Sequence, residues 1–191
     1  MGIEFELKYR AIPEIQEKLA ETGCWHSISM ETTYYDTPSK ALSSRFFTLR
    51  RRLENGVSVC TLKAPAGELA RGEWETRCES IEAAVLELCK LGCPSELPEL
   101  IAEGLEAVCG ARFTRRCSSV EFGGAVLEVA LDRGILFAGE KQIPLCEIEV
   151  ELKEGSQAQA LAYGKILSER YGLEPEHGSK FKRALALAEE G

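Results

Sequence analysis

Strict alternation of charged and apolar residues in two distant segments constrains this chain more than any other feature. Residues 3–8 read Ile-Glu-Phe-Glu-Leu-Lys, and residues 147–152 read Glu-Ile-Glu-Val-Glu-Leu. Successive side chains of a β-strand point to opposite faces, so each segment has one charged and one apolar face. Like charges side by side on a sheet are destabilising unless something neutralises them. Two carboxylate-rich strands therefore indicate a divalent metal, a polycation, or a wall shared with Lys and Arg.

Further predicted strands carry charged side chains at alternate positions, and several of these side chains are basic. If the charged faces point outward, the apolar faces need one common core. If they point inward, the sheet encloses a polar lumen, and helices cover its apolar exterior. Outward-facing charges would be ordinary cross-strand pairs worth about 0.2–1 kcal/mol each, and the residues alone leave both arrangements open. The charged positions are Arg50, Arg52, Lys63, Arg71, Glu73, Glu75, Arg77, Arg115, Glu128 and Asp132.

An enclosed lumen with this lining would hold carboxylates and cations together. Carboxylate oxygens are the ligands that Mg²⁺ and Mn²⁺ prefer. Arg offers phosphate a two-pronged hydrogen-bond donor, and Lys offers a mobile point charge. The combination fits a metal-bound polyphosphate, whose oxygens would be shared between the metal and the basic side chains.

The hydrophobic pattern and the turn residues predict an α+β fold. Asn55-Gly56 and Gly123-Gly124 each separate two strand-like segments, and such pairs favour tight hairpins between antiparallel strands. Strands are predicted over residues 3–10, 45–53, 57–64, 71–78, 112–121, 125–132 and 143–152. Helices are predicted over residues 13–22, 81–90, 97–108 and 157–171 and after Lys180. We expect one domain over residues 1–191, built on a large antiparallel sheet that closes into a barrel or tunnel.

Charge and cysteine content narrow the class of protein. The formal net charge of −8 disfavours broad attraction to nucleic acid or to an anionic membrane surface. No stretch approaches the ~20 apolar residues that span a bilayer, and the first residues lack the pattern of a secretory signal. A cytoplasmic location is therefore expected. The eight cysteines show no metal-site spacing, so we expect reduced thiols that act as small core residues.

An ordered series of short motifs resembles the CYTH superfamily, the triphosphate tunnel metalloenzymes. The series covers about 180 residues, and its order along the chain makes it far more specific than any single motif. Its members are Glu4-x-Glu6-x-Lys8, Tyr34-Tyr35-Asp36-Thr37-Pro38, Leu49-Arg50-Arg51-Arg52, Thr61-Leu62-Lys63, Arg71-Gly72-Glu73, Phe113-Thr114-Arg115, Glu128, Asp132-Arg133-Gly134, Glu147-Ile148-Glu149-Val150-Glu151-Leu152 and Ser179-Lys180.

This resemblance implies an eight-stranded antiparallel closed β-tunnel with a polar lumen, covered by about five helices. It also implies Mg²⁺ or Mn²⁺ as the cofactor, and it assigns roles to individual residues. The implied metal ligands are Glu4, Glu6, Glu128, Asp132, Glu147, Glu149 and Glu151. The implied substrate-binding residues are Lys8, Arg50, Arg52, Lys63, Arg71, Arg115 and Lys180. The implied catalytic residues are Glu4, Glu6, Lys8 and Glu73.

Within the superfamily, the segments Ala130-Leu131-Asp132-x-Gly134 and Cys146–Leu152 look most like bacterial inorganic triphosphatases. The expected activity is metal-dependent hydrolysis of tripolyphosphate to diphosphate and phosphate. The alternatives are a class IV adenylate cyclase, a thiamine triphosphatase, and a non-enzymatic protein that binds polyphosphate or a nucleotide. The expected partner is a small triphosphate, without nucleic acid or membrane, and the chain would act as a monomer or a homodimer.

Overall fold

The alternating segments form one antiparallel sheet in the computed structural model, which describes residues 5–65 and 71–189. The strands are β1 (Glu6–Arg10), β2 (His26–Asp36), β3 (Thr48–Glu54), β4 (Val57–Pro65), β5 (Arg71–Arg77), β6 (Glu106–Phe122), β7 (Ala125–Ala138), β8 (Lys141–Glu154) and β9 (Glu174–Pro175). The α-helices are α1 (Pro13–Ala20), α2 (Ile81–Lys90), α3 (Leu97–Leu100), α4 (Gln157–Tyr171) and α5 (Lys180–Glu189), with a short 3₁₀ helix at Ser43–Arg45.

The strand order is β5-β4-β3-β2-β6-β7-β8-β1-β9. The α+β prediction is confirmed, but two details of the predicted tunnel are wrong. The sheet has nine strands rather than eight, and no hydrogen-bonded pair among the described residues joins the edge strands β5 and β9. Residues of β3, β4 and β5 nevertheless line the same cavity as residues of β1 and β8. The two ends of the sheet therefore come together around this cavity without hydrogen bonds between the described residues of the edge strands.

Both predicted hairpins are present, and their turn residues have the backbone that such turns require. Asn55 and Gly56 join β3 to β4 with φ of 49° and 86°, and Gly123 and Gly124 join β6 to β7 with φ of 58° and 86°. Positive φ at both central residues matches the right-handed twist of the flanking strands. These turns fix the register that places alternate side chains on the concave face.

Three elements differ from the sequence prediction. Strand β2 was not predicted, although it pairs with β6 along its whole length and with β3 from Met30 to Tyr35. The predicted helix over residues 97–108 ends at Leu100, and β6 begins at Glu106. The two-residue strand β9 was also not predicted, and it pairs with β1.

Two apolar clusters cover the convex face of the sheet. One packs α2 and α3 against β3, β4 and β5 through residues such as Leu49, Leu62 and Trp74. The other packs α1 and α4 against β1, β7 and β8, with Val129 and Val150 at its centre. Each of these strand residues has the opposite parity to a charged neighbour, so the apolar rows face outward beneath the helices.

Helix α5 lies on the opposite, concave face. Its Phe181, Ala184 and Leu187 pack against Phe113 and Leu136, which share a face with the charged residues of β6 and β7. The prediction that the helices cover the outside of the sheet therefore fails for α5. This helix fills part of the concave face, and its first residue reaches the ionic site.

The eight cysteines were expected to be reduced thiols. All eight cysteines lie in the described part of the chain as free thiols. Burial raises the pKa of Cys60 to about 11 and that of Cys109 to about 12, which suits packing more than reactivity.

In residues 5–65 and 71–189, no helix combines the length and the apolar composition needed to cross a bilayer.

We expect Gly134→Ala to destabilise the fold strongly, because β7 crosses β6 closely at this point. A Cβ atom at Gly134 would lie 2.1 Å from the carbonyl oxygen of Arg112 and 2.5 Å from the Cα of Phe113. Overpacking against backbone should lower the free energy of unfolding by roughly 3 kcal/mol. Gly139→Ala is the control, since it meets no atom within 4 Å and carries only the strain of a φ of 56°. Urea unfolding measures both, and equal stabilities would contradict the prediction.

Candidate active site

A cavity of about 310 Å³ opens on the concave face of the sheet. Among the described residues that line it, seven are basic and six are acidic. The inward-facing arrangement is therefore the one that the chain adopts. The charged lining residues are Glu6, Lys8, Arg50, Arg52, Glu54, Lys63, Glu73, Glu75, Arg115, Glu149, Glu151, Lys153 and Lys180, and the others are Tyr34, Thr48, Ser179 and Phe181.

One wall of the cavity comes from the antiparallel pair β1 and β8. The register places Glu6 opposite Glu151 and Lys8 opposite Glu149, so carboxylates from both strands lie together around one amine. The Nζ atom of Lys8 is 3.0 Å from Oε1 of Glu6 and 3.6 Å from Oε1 of Glu149. Burial alone would lower the pKa of Lys8, but Glu149 and Glu6 outweigh it and raise that pKa. This amine therefore stays charged.

Strands β3, β4 and β5 form a second wall, whose basic side chains are Arg50, Arg52 and Lys63. The Glu73 carboxylate lies between two cations, 3.8 Å from Nη2 of Arg50 and 3.6 Å from Nζ of Lys63. Arg52 is more deeply buried, and its Nε donates to Oγ1 of Thr32 at 3.1 Å. Burial, followed by the charge of Arg50, lowers the pKa of Arg52 to about 10.

Three carboxylates meet at the floor of the site. Oxygens of Asp132, Glu147 and Glu149 lie within 4.8 Å of one another, and all three residues are buried. The amine of Lys180 is 2.7 Å from Oδ2 of Asp132 and 2.8 Å from Oε1 of Glu149, and it also bonds Glu147. Arg115 donates to both oxygens of Asp132, at 2.7 Å each, and to Glu149. These cations neutralise charges that would otherwise repel.

The pKa shifts at the floor follow from burial and from this crowding. Burial raises the pKa of Glu149, but Lys180, Arg115 and Lys8 together hold it well below its ordinary value. Burial also dominates at Glu147 and keeps its pKa raised, in spite of the nearby Lys180. At Lys180 the three carboxylates outweigh burial, and the pKa is raised. Glu149, which touches the cavity, is thus more firmly ionised than Glu147.

Helix α1 reinforces the floor from behind through Gln16, which is fully buried. Its Nε2 donates to the main-chain carbonyls of Asp132 and Glu147, at 2.9 Å each. Its Oε1 accepts from Nε of Arg133 at 3.0 Å. The amide therefore fixes the backbone of β7 and β8 at the residues that carry two of the three floor carboxylates.

Most of the residues implied by the resemblance meet at this cavity or its floor. Glu128 is not among the described lining residues, and its carboxylate lies 3.7 Å from Nζ of Lys153. Glu4 and the side chain of Arg71 lie outside the described part of the structure. Gln16 and Arg183 were not among the predicted site residues, although Arg183 follows Lys180 by three residues and so faces the same way on a helix.

The donor set fits a hard divalent cation. The cavity wall offers carboxylates from Glu6, Glu149 and Glu151, and the floor offers Asp132 and Glu147 within reach of Glu149. All of these ligand atoms are oxygens, as Mg²⁺ and Mn²⁺ prefer. A cation bound on the floor would compete with Lys180 for all three carboxylates. A cation bound on the wall would compete with Lys8 for Glu6 and with Lys153 for Glu151. At Glu149 it would compete with Lys8, Arg115 and Lys180.

The chain was also compared with known proteins by sequence and by structure. The chain is 30% identical to an inorganic triphosphatase of Haemophilus influenzae over 193 aligned positions, which are 96% of this chain and 54% of that protein. The chain thus spans about half the length of this curated relative.

Two solved structures match almost the whole chain. The PH1819 protein of Pyrococcus horikoshii has a TM-score of 0.65 and 26% identity, with 96% of this chain and 98% of that chain covered. HpAC1 of Hippeastrum, named for an adenylyl cyclase assignment and described by a dominant triphosphatase activity, has a TM-score of 0.61 and 20% identity, with 97% and 96% covered. Residues 2–185 match the CYTH domain, and the chain therefore belongs to the CYTH domain family.

Proposed function

We propose that this protein hydrolyses triphosphates with the help of Mg²⁺ or Mn²⁺, and that inorganic tripolyphosphate is its preferred substrate. The observation that carries the proposal is a single cavity lined by seven basic and six acidic residues, with the carboxylates of Glu6, Glu149 and Glu151 on one wall and Arg50, Arg52 and Lys63 on another. A triphosphate needs cations along its length, and a metal bound to it needs oxygen ligands on the protein. The homology to an inorganic triphosphatase supports the same reaction.

The basic residues would bind the phosphate chain. Arg50, Arg52 and Lys63 line one side of the cavity, and Lys8, Arg115 and Lys180 extend towards the other. Each cation already pairs with a carboxylate or a hydroxyl, which keeps the side chains in place before the substrate arrives. Preorganised charge stabilises the growing negative charge of the leaving diphosphate without reorganisation. We include Arg71 in this set on the strength of the resemblance.

The carboxylates would hold the metal and prepare the water. We place the metal on the wall formed by Glu6, Glu149 and Glu151, with Glu4 as a further ligand and with Asp132 and Glu147 close enough to Glu149 to contribute. When bound, the metal supplies charge neutralisation at the phosphate oxygens and a water that ionises more readily. A ligand role for Glu128 is a prediction from the resemblance alone.

We propose that Glu73 has a catalytic role on the opposite wall. Its carboxylate lies against Arg50 and Lys63, so a phosphate group bound by these cations would lie beside it. From there Glu73 can accept a hydrogen bond from the attacking water and orient it for in-line displacement. No Ser, Cys or His nucleophile is needed for such a reaction.

The composition and size of the cavity favour a substrate without an organic group. Its volume of about 310 Å³ lies at the lower end of small-molecule pockets. Among the described lining residues, the aromatic rings are Tyr34 and Phe181, and these pack on each other with centroids 5.1 Å apart. The described lining therefore offers no further aromatic ring for a nucleobase or for thiamine. This favours tripolyphosphate over ATP and thiamine triphosphate.

Phosphate release from three substrates tests the proposal directly. Purified protein is incubated with tripolyphosphate, ATP or thiamine triphosphate, each with Mg²⁺, Mn²⁺ or EDTA. We expect fastest release from tripolyphosphate, and release in EDTA that falls to background because the carboxylate wall then lacks its cation. Chromatography of the ATP reaction checks for cyclic AMP. Conversion of ATP to cyclic AMP as the main reaction, or undiminished release in EDTA, would contradict the proposal.

A further inference from the structure

Helix α5 presents two cations, one turn apart, to the same buried carboxylate. Lys180 and Arg183 are three residues apart, so their side chains share one face of the helix. The amine of Lys180 bonds Oε1 of Glu147, and Nη2 of Arg183 bonds Oε2. Because Glu147 is fully buried, both of its oxygens depend on these partners. One carboxylate of β8 therefore fixes two positions of α5.

The guanidinium of Arg183 is held at its other side by Glu176. Nη1 of Arg183 lies 3.6 Å from Oε2 of Glu176, whose side chain is only 6% exposed. Glu176 also accepts from Nε of Arg10 and from the backbone N–H of Gly178, at 2.8 Å each. Its own backbone N–H donates to the carbonyl of Lys8 at 2.8 Å. Arg183 thus connects α5 to β8 through Glu147 and to β1 through Glu176.

Arg183 is not among the described residues that line the cavity, whereas Lys180 is. Any effect of Arg183 on the substrate must therefore pass through its neighbours. The amine of Lys180 is shared by three carboxylates, namely Asp132, Glu147 and Glu149. If Arg183 no longer neutralised Glu147, that carboxylate would attract the amine more strongly, and it would draw the amine away from Glu149 and the cavity.

We propose that Arg183 is a positioning residue for Lys180. It neutralises the second oxygen of Glu147 and holds the register of α5, so that the Lys180 amine stays directed at Glu149 and at the phosphate chain. This inference rests on the proposed function, because its effect on activity requires a triphosphate in the cavity. Its structural part, the coupling of Arg183 to Lys180, does not depend on the substrate.

Steady-state kinetics with tripolyphosphate test the role of Arg183. We expect Arg183→Met to raise KM by about tenfold while kcat changes by less than about threefold. The reason is that the variant displaces the amine of Lys180, which would bind the phosphate chain, but leaves the carboxylates of Glu6, Glu149 and Glu151 in place. Arg183→Lys should recover most of the affinity, since it restores a charge beside Glu147. Lys182→Met is the matched control, because it removes a neighbouring exposed charge of α5, and its KM should equal that of the wild type.

Two results would overturn the proposal. One is an unchanged KM in Arg183→Met, even if its Tm falls, because the role would then be structural only. The other is an equal rise in KM for Lys182→Met, which would mean that overall charge matters rather than position. Should Arg183→Met not fold, Glu176→Gln loosens the same guanidinium while keeping both cations, and it should raise KM in the same direction.

A double-mutant cycle separates this inference from the proposed function. Lys180→Met, Arg183→Met and the double variant are compared by urea unfolding, which needs no substrate. We expect the double variant to be less stable than the sum of the two single effects predicts, because either cation alone still neutralises the buried Glu147, whereas the double variant leaves it with neither. Additive effects would overturn the coupling. A wild-type protein that hydrolyses no triphosphate would instead refute the proposed function, whatever the cycle shows.

Discussion

Glu149→Gln is expected to abolish most turnover while the fold remains. The carboxylate lies on the cavity wall between Lys8 and Lys180, and these cations, together with Arg115, outweigh burial and hold its pKa well below the ordinary value. Glutamine keeps the size of the side chain but removes the charge that would bind a divalent cation. If the cation contributes several kcal/mol to stabilising the transition state, kcat should fall by about a thousandfold.

The matched control for this variant is Glu121→Gln, at an exposed position on β6. It makes the same chemical change away from the cavity, and its kcat should equal that of the wild type. Circular dichroism and Tm report whether Glu149→Gln is folded. A folded Glu149→Gln with more than a tenth of wild-type kcat would exclude Glu149 as an important metal ligand.

Lys180→Met is expected to be the most destabilising of the charge-removing substitutions. It would leave Asp132, Glu147 and Glu149 buried together without the amine that contacts all three. Removing one partner of a buried ionic group typically costs about 3–5 kcal/mol, which corresponds to a fall in Tm of roughly 6–20 °C for a chain of this size. Lys182→Met, the neighbouring exposed position, should change Tm by no more than a degree or two.

The pH dependence of the Lys180→Met variant gives a second measurement with a defined sign. Without the amine, the crowded carboxylates should take up a proton in the folded state, so their pKa would lie above that of the unfolded chain. The folded state then binds more protons than the unfolded state, and stability falls as pH rises. We expect Tm of Lys180→Met, relative to the wild type, to drop between about pH 5 and pH 8. A constant difference across this range would show that the floor carboxylates do not repel.

The strands could be predicted from the sequence where an alternating pattern or a turn pair marked them locally. Alternating residues in β1 and β8 gave both the strand and its charged face, and Asn55-Gly56 and Gly123-Gly124 gave the hairpins. These features depend on residues adjacent in the chain, so a single sequence contains them. The charged faces alone did not say which way they pointed, and the resemblance to the CYTH superfamily selected the inward direction.

The remaining elements depend on contacts between distant residues. In β2 the strand pairs on both sides, and polar residues such as Thr32 and Thr33 interrupt a simple apolar pattern. Apolar residues between Leu97 and Val108 fit a helix by spacing, yet the segment turns at Gly104 so that β6 can pair with β2. Gln16 bonds the backbone carbonyls of Asp132 and Glu147, and Arg183 bonds the Glu147 carboxylate. These partners lie more than thirty residues away in the chain, so no local motif marks the contacts.

The place of β1 between β8 and β9 has a consequence for how the chain folds. Glu6 pairs with Glu151, and Arg10 pairs with Glu174, so partners more than a hundred residues apart must meet. Closing such long loops is entropically unfavourable until the contacts form, which slows folding. Strand β1 can pair on both sides only after residues up to Pro175 have left the ribosome, so the cavity wall that β1 shares with β8 is completed late, well after the hairpin of β3 and β4 can form.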